Sequence, residues 1–331
     1  MQKMTGMKEN YFRKEISYMT MVNLIRRAQI RANEPRIKAN PNPYNVFIRR
    51  DIPYMDDNNP YHLLDVYSPH EQRELLPVII EIHGGGYISC NKEINAQHGQ
   101  YLASKGFHVV NINYSLCPEF GISDVLNELN NVLNWIKDHA EAYGFDTNRV
   151  SLTGDSSGGH IVLLAAAIYS SGKSADYFKV QSPELHPAAY TASCPEGSFR
   201  WELLPHTFTA KFLYFLLHHY TFDPECREHA SYEYYMDDHY PKVWICTAPT
   251  DKLLYDHTVR MHEYMRKHGI DHEYREYEAA EGKLDHVFNV LSPDLPESRA
   301  ANDDMVAFVR KMTCDPAGKN PDAHIPINCK T

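Results

Sequence analysis

Apolar residues recur along this chain with two periods that take turns. Val125, Leu126, Leu129, Val132, Leu133 and Ile136 fall at i, i+1, i+4, i+7, i+8 and i+11, one stripe of a helix predicted over residues 123–143. Short apolar runs at 77–82, 107–114, 149–153 and 241–249 read as buried strands, and 271–277 as another. Helices are expected near 95–105, 161–169, 256–268 and 298–312, between and after these runs. Strand and helix in alternation predict an α/β chain with a doubly wound parallel sheet. Residues 44–52 and 63–67 alternate instead like an antiparallel pair. Upstream, Tyr18, Met21, Val22, Ile25 and Ile30 lie near one face of an amphipathic helix, and Asn40-Pro-Asn-Pro43 ends it. Residues 170–240 break the alternation and hold a strongly apolar helical stretch at 201–217, while 313–331 reads as a polar, loosely ordered tail.

Composition narrows the classes. A chain of 331 residues with 43% hydrophobic content can bury one large core. A net charge of −10 argues against nucleic acid and offers no polybasic patch to anionic lipid. The seven cysteines are scattered without metal-ligand spacing, which suits free thiols in a reducing cytoplasm. The polar start leads to no signal-peptide core, and no apolar run reaches membrane-spanning length, so a cytoplasmic chain without a membrane partner is expected.

Two glycine-rich segments carry the chemistry. Gly154-Asp155-Ser156-Ser157-Gly158 is a G-x-S-x-G between a strand and a helix. Such a turn holds a serine hydroxyl out of regular structure, and its glycines allow the close backbone approach that a Cβ would block. The following helix directs free N–H groups and its positive dipole end toward that serine. His83-Gly84-Gly85-Gly86-Tyr87 directly follows the strand at 77–82 and supplies flexible backbone that can aim N–H groups at a carbonyl oxygen. Together they provide the nucleophile and the anion-stabilising half of an acyl-transfer site.

With these two motifs the chain resembles the hormone-sensitive-lipase-like carboxylesterases of the α/β-hydrolase fold, from about residue 61 to about 312. The resemblance implies a mostly parallel, doubly wound sheet of about eight strands with a helical cap: N-terminal cap helices over 1–43 and a hydrolase domain over 44–331 with a cap insertion at about 181–235. A serine needs a base, and the hydrolase order Ser…Asp/Glu…His places it after the last core strand. His286 stands there, where the family has H-G-F, although Val287 replaces the glycine. Asp251 follows the penultimate strand and opens the family's D-x-L as Asp251-Lys252-Leu253; Asp256 and Asp285 compete for the role of acid. The oxyanion donors are expected from Gly84, Gly85, Gly86 and Ser157, the last replacing the family's alanine. Tyr87 is expected as a wall of the substrate pocket and His83 as a brace for the glycine loop. Asp155 and Glu119 match positions that support the site. Ser115 replaces the family's arginine, so the ion pair that arginine would make is expected to be absent.

These readings predict a serine carboxylesterase acting on short acyl, acetyl-type esters of small molecules, with no metal and no cofactor. His262-Glu263 followed by His268 is not the H-E-x-x-H of a zinc protease. An amidase or small peptidase would share every motif, and a non-catalytic binding protein on the same fold is the third reading. A homodimer is left open.

Overall fold

The computed structural model describes residues 2–71, 74–199 and 223–314. The apolar stretch expected at 201–217 and nearly all of the expected polar tail lie outside them. The strands are β1 (Phe47–Pro53), β2 (Leu63–Ser68), β3 (Leu76–Ile82), β4 (His108–Ile112), β5 (Phe145–Asp155), β6 (Ala189–Ser193), β7 (Val243–Thr247) and β8 (His272–Glu276). They form one sheet in the order β1-β2-β4-β3-β5-β6-β7-β8. β1 and β2 pair antiparallel, β2 is antiparallel to β4, and all later pairings are parallel.

β3, β4, β6 and β7 are buried through their centres, so they read as apolar runs rather than alternating ones. Helices cover both faces. On one face α3 (Ile122–Asp138) lays down its stripe of Val125, Leu129, Val132 and Ile136, beside α5 (Ser157–Ser171), which is buried along residues 157–169. A helix apolar all round belongs at the centre of a large core. On the other face α2 (Ala96–Ser104) and a C-terminal helix (Pro296–Cys314) close over Val109, Ile79 and Trp244. The helix expected to run unbroken from 123 to 143 stops at Asp138. His139 leaves helical geometry and stacks on Trp135, and a single turn (Ala140–Tyr143) follows, ended by left-handed Gly144.

The N-terminal helix α1 (Gln2–Ala39) buries Tyr18 and Val22 in the same core as the sheet, whereas Ile30 is exposed. The expected cap insertion needs a correction. Its stretch 181–235 contains β6, a core strand hydrogen-bonded between β5 and β7. Ala-Tyr-Thr-Ala-Ser is short, small and half polar, so it gives no apolar run, yet the alternation after α5 calls for a strand.

Register sets the site. Ile82 pairs with Gly154, Gly154 with Ala192, and Ser193 with Cys246. The segments after β3, β5, β6 and β7 therefore leave the sheet side by side at their carboxyl ends, where open α/β sheets place ligands.

Candidate active site

Ser156 sits between the last residue of β5 and the first of α5 with φ of 53° and ψ of −121°, in the positive-φ half of conformational space that a non-glycine residue enters only under constraint. The constraint is visible on both sides. A Cβ on Gly154 would lie 2.5 Å from the Gly158 carbonyl, and one on Gly158 would lie 2.2 Å from the Ile82 oxygen. The serine's own N–H donates to the Ser193 carbonyl at 2.9 Å, which ties the turn to β6.

Three side chains from three segments converge. Ser156 Oγ lies 2.9 Å from His286 Nε2, and His286 Nδ1 lies 2.8 Å from Asp251 Oδ2. The other oxygen of Asp251 accepts the N–H groups of Leu253 and Leu254 at 2.8 and 3.1 Å. Burial pushes this carboxyl's pKa up, but the His286 ring and the two backbone donors outweigh it and hold it below the usual aspartate value. With the carboxylate accepting Nδ1–H, the lone pair of Nε2 is left facing the serine hydroxyl. Of the two competing acids, Asp285 is exposed and Asp256 sits in the first turn of the helix Tyr255–His268.

Val287 takes φ of +52° and ψ of 38°, a conformation that costs a β-branched residue and that the family's glycine would adopt freely. Its side chain is buried in a cluster with Cys194 and Val290, which holds the backbone there.

The glycine loop corrects one expectation. Gly84 N–H donates to Asp155 Oδ1 at 3.1 Å, so it is not free for an oxyanion. That leaves Gly85, Gly86 and Ser157 as the amides in question. Asp155 also accepts Asn95 Nδ2 at 2.7 Å and is buried, and burial raises its pKa despite these donors. His83 stacks on Tyr114 with ring centres 4.3 Å apart, and its Nδ1 lies 2.7 Å from the Gly84 carbonyl. Burial lowers its pKa to about 4, so it is a neutral brace at pH 7. Tyr87 is 1% exposed and packs edge-on to His160, and its N–H donates to Ser157 Oγ at 3.2 Å. The Ser157 hydroxyl thus holds the loop to the start of α5.

Glu119 has an ion-pair partner even though Ser115 stands where the family has arginine. Arg26 of α1 takes that place, with Nη1 and Nη2 each 2.8 Å from a different Glu119 oxygen. A sequence separation of 93 residues gives no local signal for this pair. Asn95 was equally hidden, at the end of a 3₁₀ turn (Lys92–Asn95).

Among the described residues, Cys194, Asp251 and His286 form the cluster that could hold a metal, with donor atoms all within 4.8 Å. Burial drives the Cys194 thiol well above its ordinary pKa, which disfavours the thiolate that a metal needs. Among the described residues no helix is long and apolar enough to cross a membrane.

Residues 64–265, more than half of the chain, match the family described as BD-FAE. The chain belongs to the BD-FAE family. Both glycine motifs and Asp251 fall inside the BD-FAE match, and His286 lies beyond it. Isoprenylcysteine alpha-carbonyl methylesterase ICME of Arabidopsis thaliana is 32% identical over 118 residues, 36% of this chain and 27% of its own. Hormone-sensitive lipase of Mus musculus is 32% identical over 137 residues, 39% of this chain and 16% of the lipase. The chain thus spans less than a third of the length of these curated relatives. The crystal structure of esterase B from Lactobacillus rhamnosis (HN001) superimposes with a TM-score of 0.84 at 23% identity, over 91% of this chain and 97% of that one. The BD-FAE chain therefore has the α/β-hydrolase fold, as the motifs implied, and is similar to hormone-sensitive lipase over part of its length.

Proposed function

We propose that the protein is a serine carboxylesterase that cleaves short acyl esters of small molecules through an acyl-enzyme. The observation that carries this reading is the unbroken pair of hydrogen bonds from Ser156 through His286 to Asp251, at 2.9 and 2.8 Å. In this mechanism Ser156 Oγ attacks the ester carbonyl as His286 Nε2 takes its proton, and Asp251 stabilises the imidazolium. The tetrahedral oxyanion forms against the N–H groups of Gly85, Gly86 and Ser157. Collapse expels the alcohol with the proton from His286, and water then repeats the cycle on the acyl-enzyme. Tyr87 is proposed to back the acyl side of the pocket from its buried position.

Short acyl chains find support in a solved form of esterase B, a neighbour at TM-score 0.81 and 22% identity, which is inhibited by a C4-C4 SN3 tributyrin phosphonate. An alkyl phosphonate fluoride is the direct test. Intact-mass measurement is expected to show one adduct per chain, mapped to the peptide holding Ser156, with p-nitrophenyl acetate and butyrate turned over faster than the matching anilides. A protein that takes up no phosphonate and hydrolyses no ester is a binding protein; one that prefers anilides is an amidase.

The loop makes its own prediction. Gly85 has φ of +126°, and a Cβ there would stand 2.1 Å from the Ser89 carbonyl oxygen. Gly85→Ala must therefore swing the loop away, and kcat is expected to fall about 10²–10³-fold, the loss seen when an oxyanion donor goes. Turnover of p-nitrophenyl acetate by folded variant checks it, and an unchanged kcat would place the anion elsewhere.

A further inference from the structure

We propose that Arg26 is a positioning residue for the oxyanion hole, acting through a relay of two peptide units, so that the N-terminal helix is part of the machinery and not merely a cover. The inference rests on the esterase reading.

Arg26 uses the whole guanidinium fork. Nη1 and Nη2 grip Glu119, Nη2 also donates to the Cys117 carbonyl at 2.9 Å, and Nε donates to the Ile88 carbonyl at 2.6 Å. The last bond matters most. The Ile88 carbonyl shares its peptide unit with the Ser89 N–H, and in a trans peptide the two point in opposite directions. That N–H donates to the Gly85 carbonyl at 3.2 Å, reinforced by Ser89 Oγ at 2.8 Å. The Gly85 carbonyl in turn shares its peptide with the Gly86 N–H, one of the proposed oxyanion donors. Fixing that carbonyl fixes where the N–H aims.

The chain runs from guanidinium to Ile88 carbonyl, Ser89 N–H, Gly85 carbonyl and Gly86 N–H. Each bond polarises the next, and the positive charge at its far end makes the last N–H a stronger donor to a forming anion. The loop is steadied from the side as well, because Cys117 N–H donates to the Tyr87 carbonyl at 2.9 Å while Arg26 holds the Cys117 carbonyl. The helix that carries Arg26 is anchored on either side. Tyr18 and Val22 are buried in the core, and Arg36 donates to the Ile94 carbonyl at 2.7 Å and to Gln97 at 3.0 Å. Glu119 keeps the fork oriented, its own pKa lowered by the Arg26 bonds.

Arg26→Met tests the relay. Turnover of p-nitrophenyl acetate is expected to lose about tenfold in kcat, with KM nearly unchanged, since the missing interaction acts on the transition state. Affinity for an alkyl trifluoromethyl ketone, which forms a bound oxyanion, should weaken by the same factor. Hydrogen exchange at the Ser89 amide, which donates to the Gly85 carbonyl, should quicken in the unliganded protein. A folded Arg26→Met with unchanged kcat, ketone affinity and exchange overturns the proposal. Should that variant not fold, Arg26→Lys decides in the same way, because it keeps the charge and loses the fork. Exchange needs no substrate, so a wild-type protein without turnover whose Ser89 amide still opens faster in the variant would remove the esterase reading and leave Arg26 as a positioning residue for the loop.

Discussion

Ser156→Ala is expected to reduce ester turnover at least about 10³-fold and to abolish phosphonate labelling, because every later step needs the bond this hydroxyl makes. The rival is its neighbour. Ser157 also carries a hydroxyl at the turn, but that oxygen accepts the Tyr87 N–H, whereas Ser156 Oγ faces His286 Nε2. Ser157→Ala removes one loop bond and keeps the backbone N–H, so it should retain labelling and lose less than about tenfold in kcat, a single hydrogen bond's worth. The effects at Ser156 and His286 should not add. With the nucleophile gone the base has no proton to take, and the double variant should be no slower than Ser156→Ala alone. A Ser156→Ala protein that still forms an adduct on the same peptide would hand the chemistry to Ser157 and undo the reading.

The parts of this site that sequence revealed are those made by adjacent residues. His83–Gly86 and Gly154–Gly158 are contiguous, and each follows an apolar run, so periodicity places both at strand ends. The order of segments and the match to the family's D-x-L and H-G-F then favour Asp251 and His286 without any knowledge of distance, with Asp256 and Asp285 still open as acids. What stayed hidden was made by residues far apart. Arg26 reaches Glu119 across 93 positions, and Asn95 reaches Asp155 across 60. Matching Ser115 to the family's arginine removes only the pair that arginine would make, and a charge supplied from another helix leaves no mark at that position. Gly84 failed for a related reason. Three consecutive glycines look equivalent in sequence, and only the Asp155 carboxyl on a neighbouring strand distinguishes the first. β6 was missed because small and polar residues can fill a central strand when both its neighbours supply the bulk.

Asp251→Asn is expected to lower kcat about 10³–10⁴-fold while leaving the backbone in place, through a change of tautomer. Both carboxylate oxygens are occupied by donors, His286 Nδ1–H on one and the Leu253 and Leu254 N–H groups on the other. An asparagine has one oxygen to offer. Turned toward the two backbone donors, it presents its NH₂ to His286 and forces the imidazole to accept at Nδ1 and carry its proton on Nε2. A ring in that state donates toward Ser156 and cannot take the serine's proton. The same contacts fix a pH dependence. The pKa of Asp251 is lower folded than in an unfolded chain, where it takes the ordinary value of 3.8. The wild-type carboxylate therefore adds stability above that value and loses it as pH falls through the lower folded one. Asp251→Asn should lack this acid-side loss, flattening melting temperature against pH below about 4. Nitrogen chemical shifts of His286 would report the tautomer directly. Asp285→Asn, at an exposed position, is the control and should keep wild-type kcat. If Asp251→Asn stays within tenfold of wild type with the Nδ1–H tautomer intact, another group orients the base, and Asp251 is only the ligand that ties residues 251–254 into their turn.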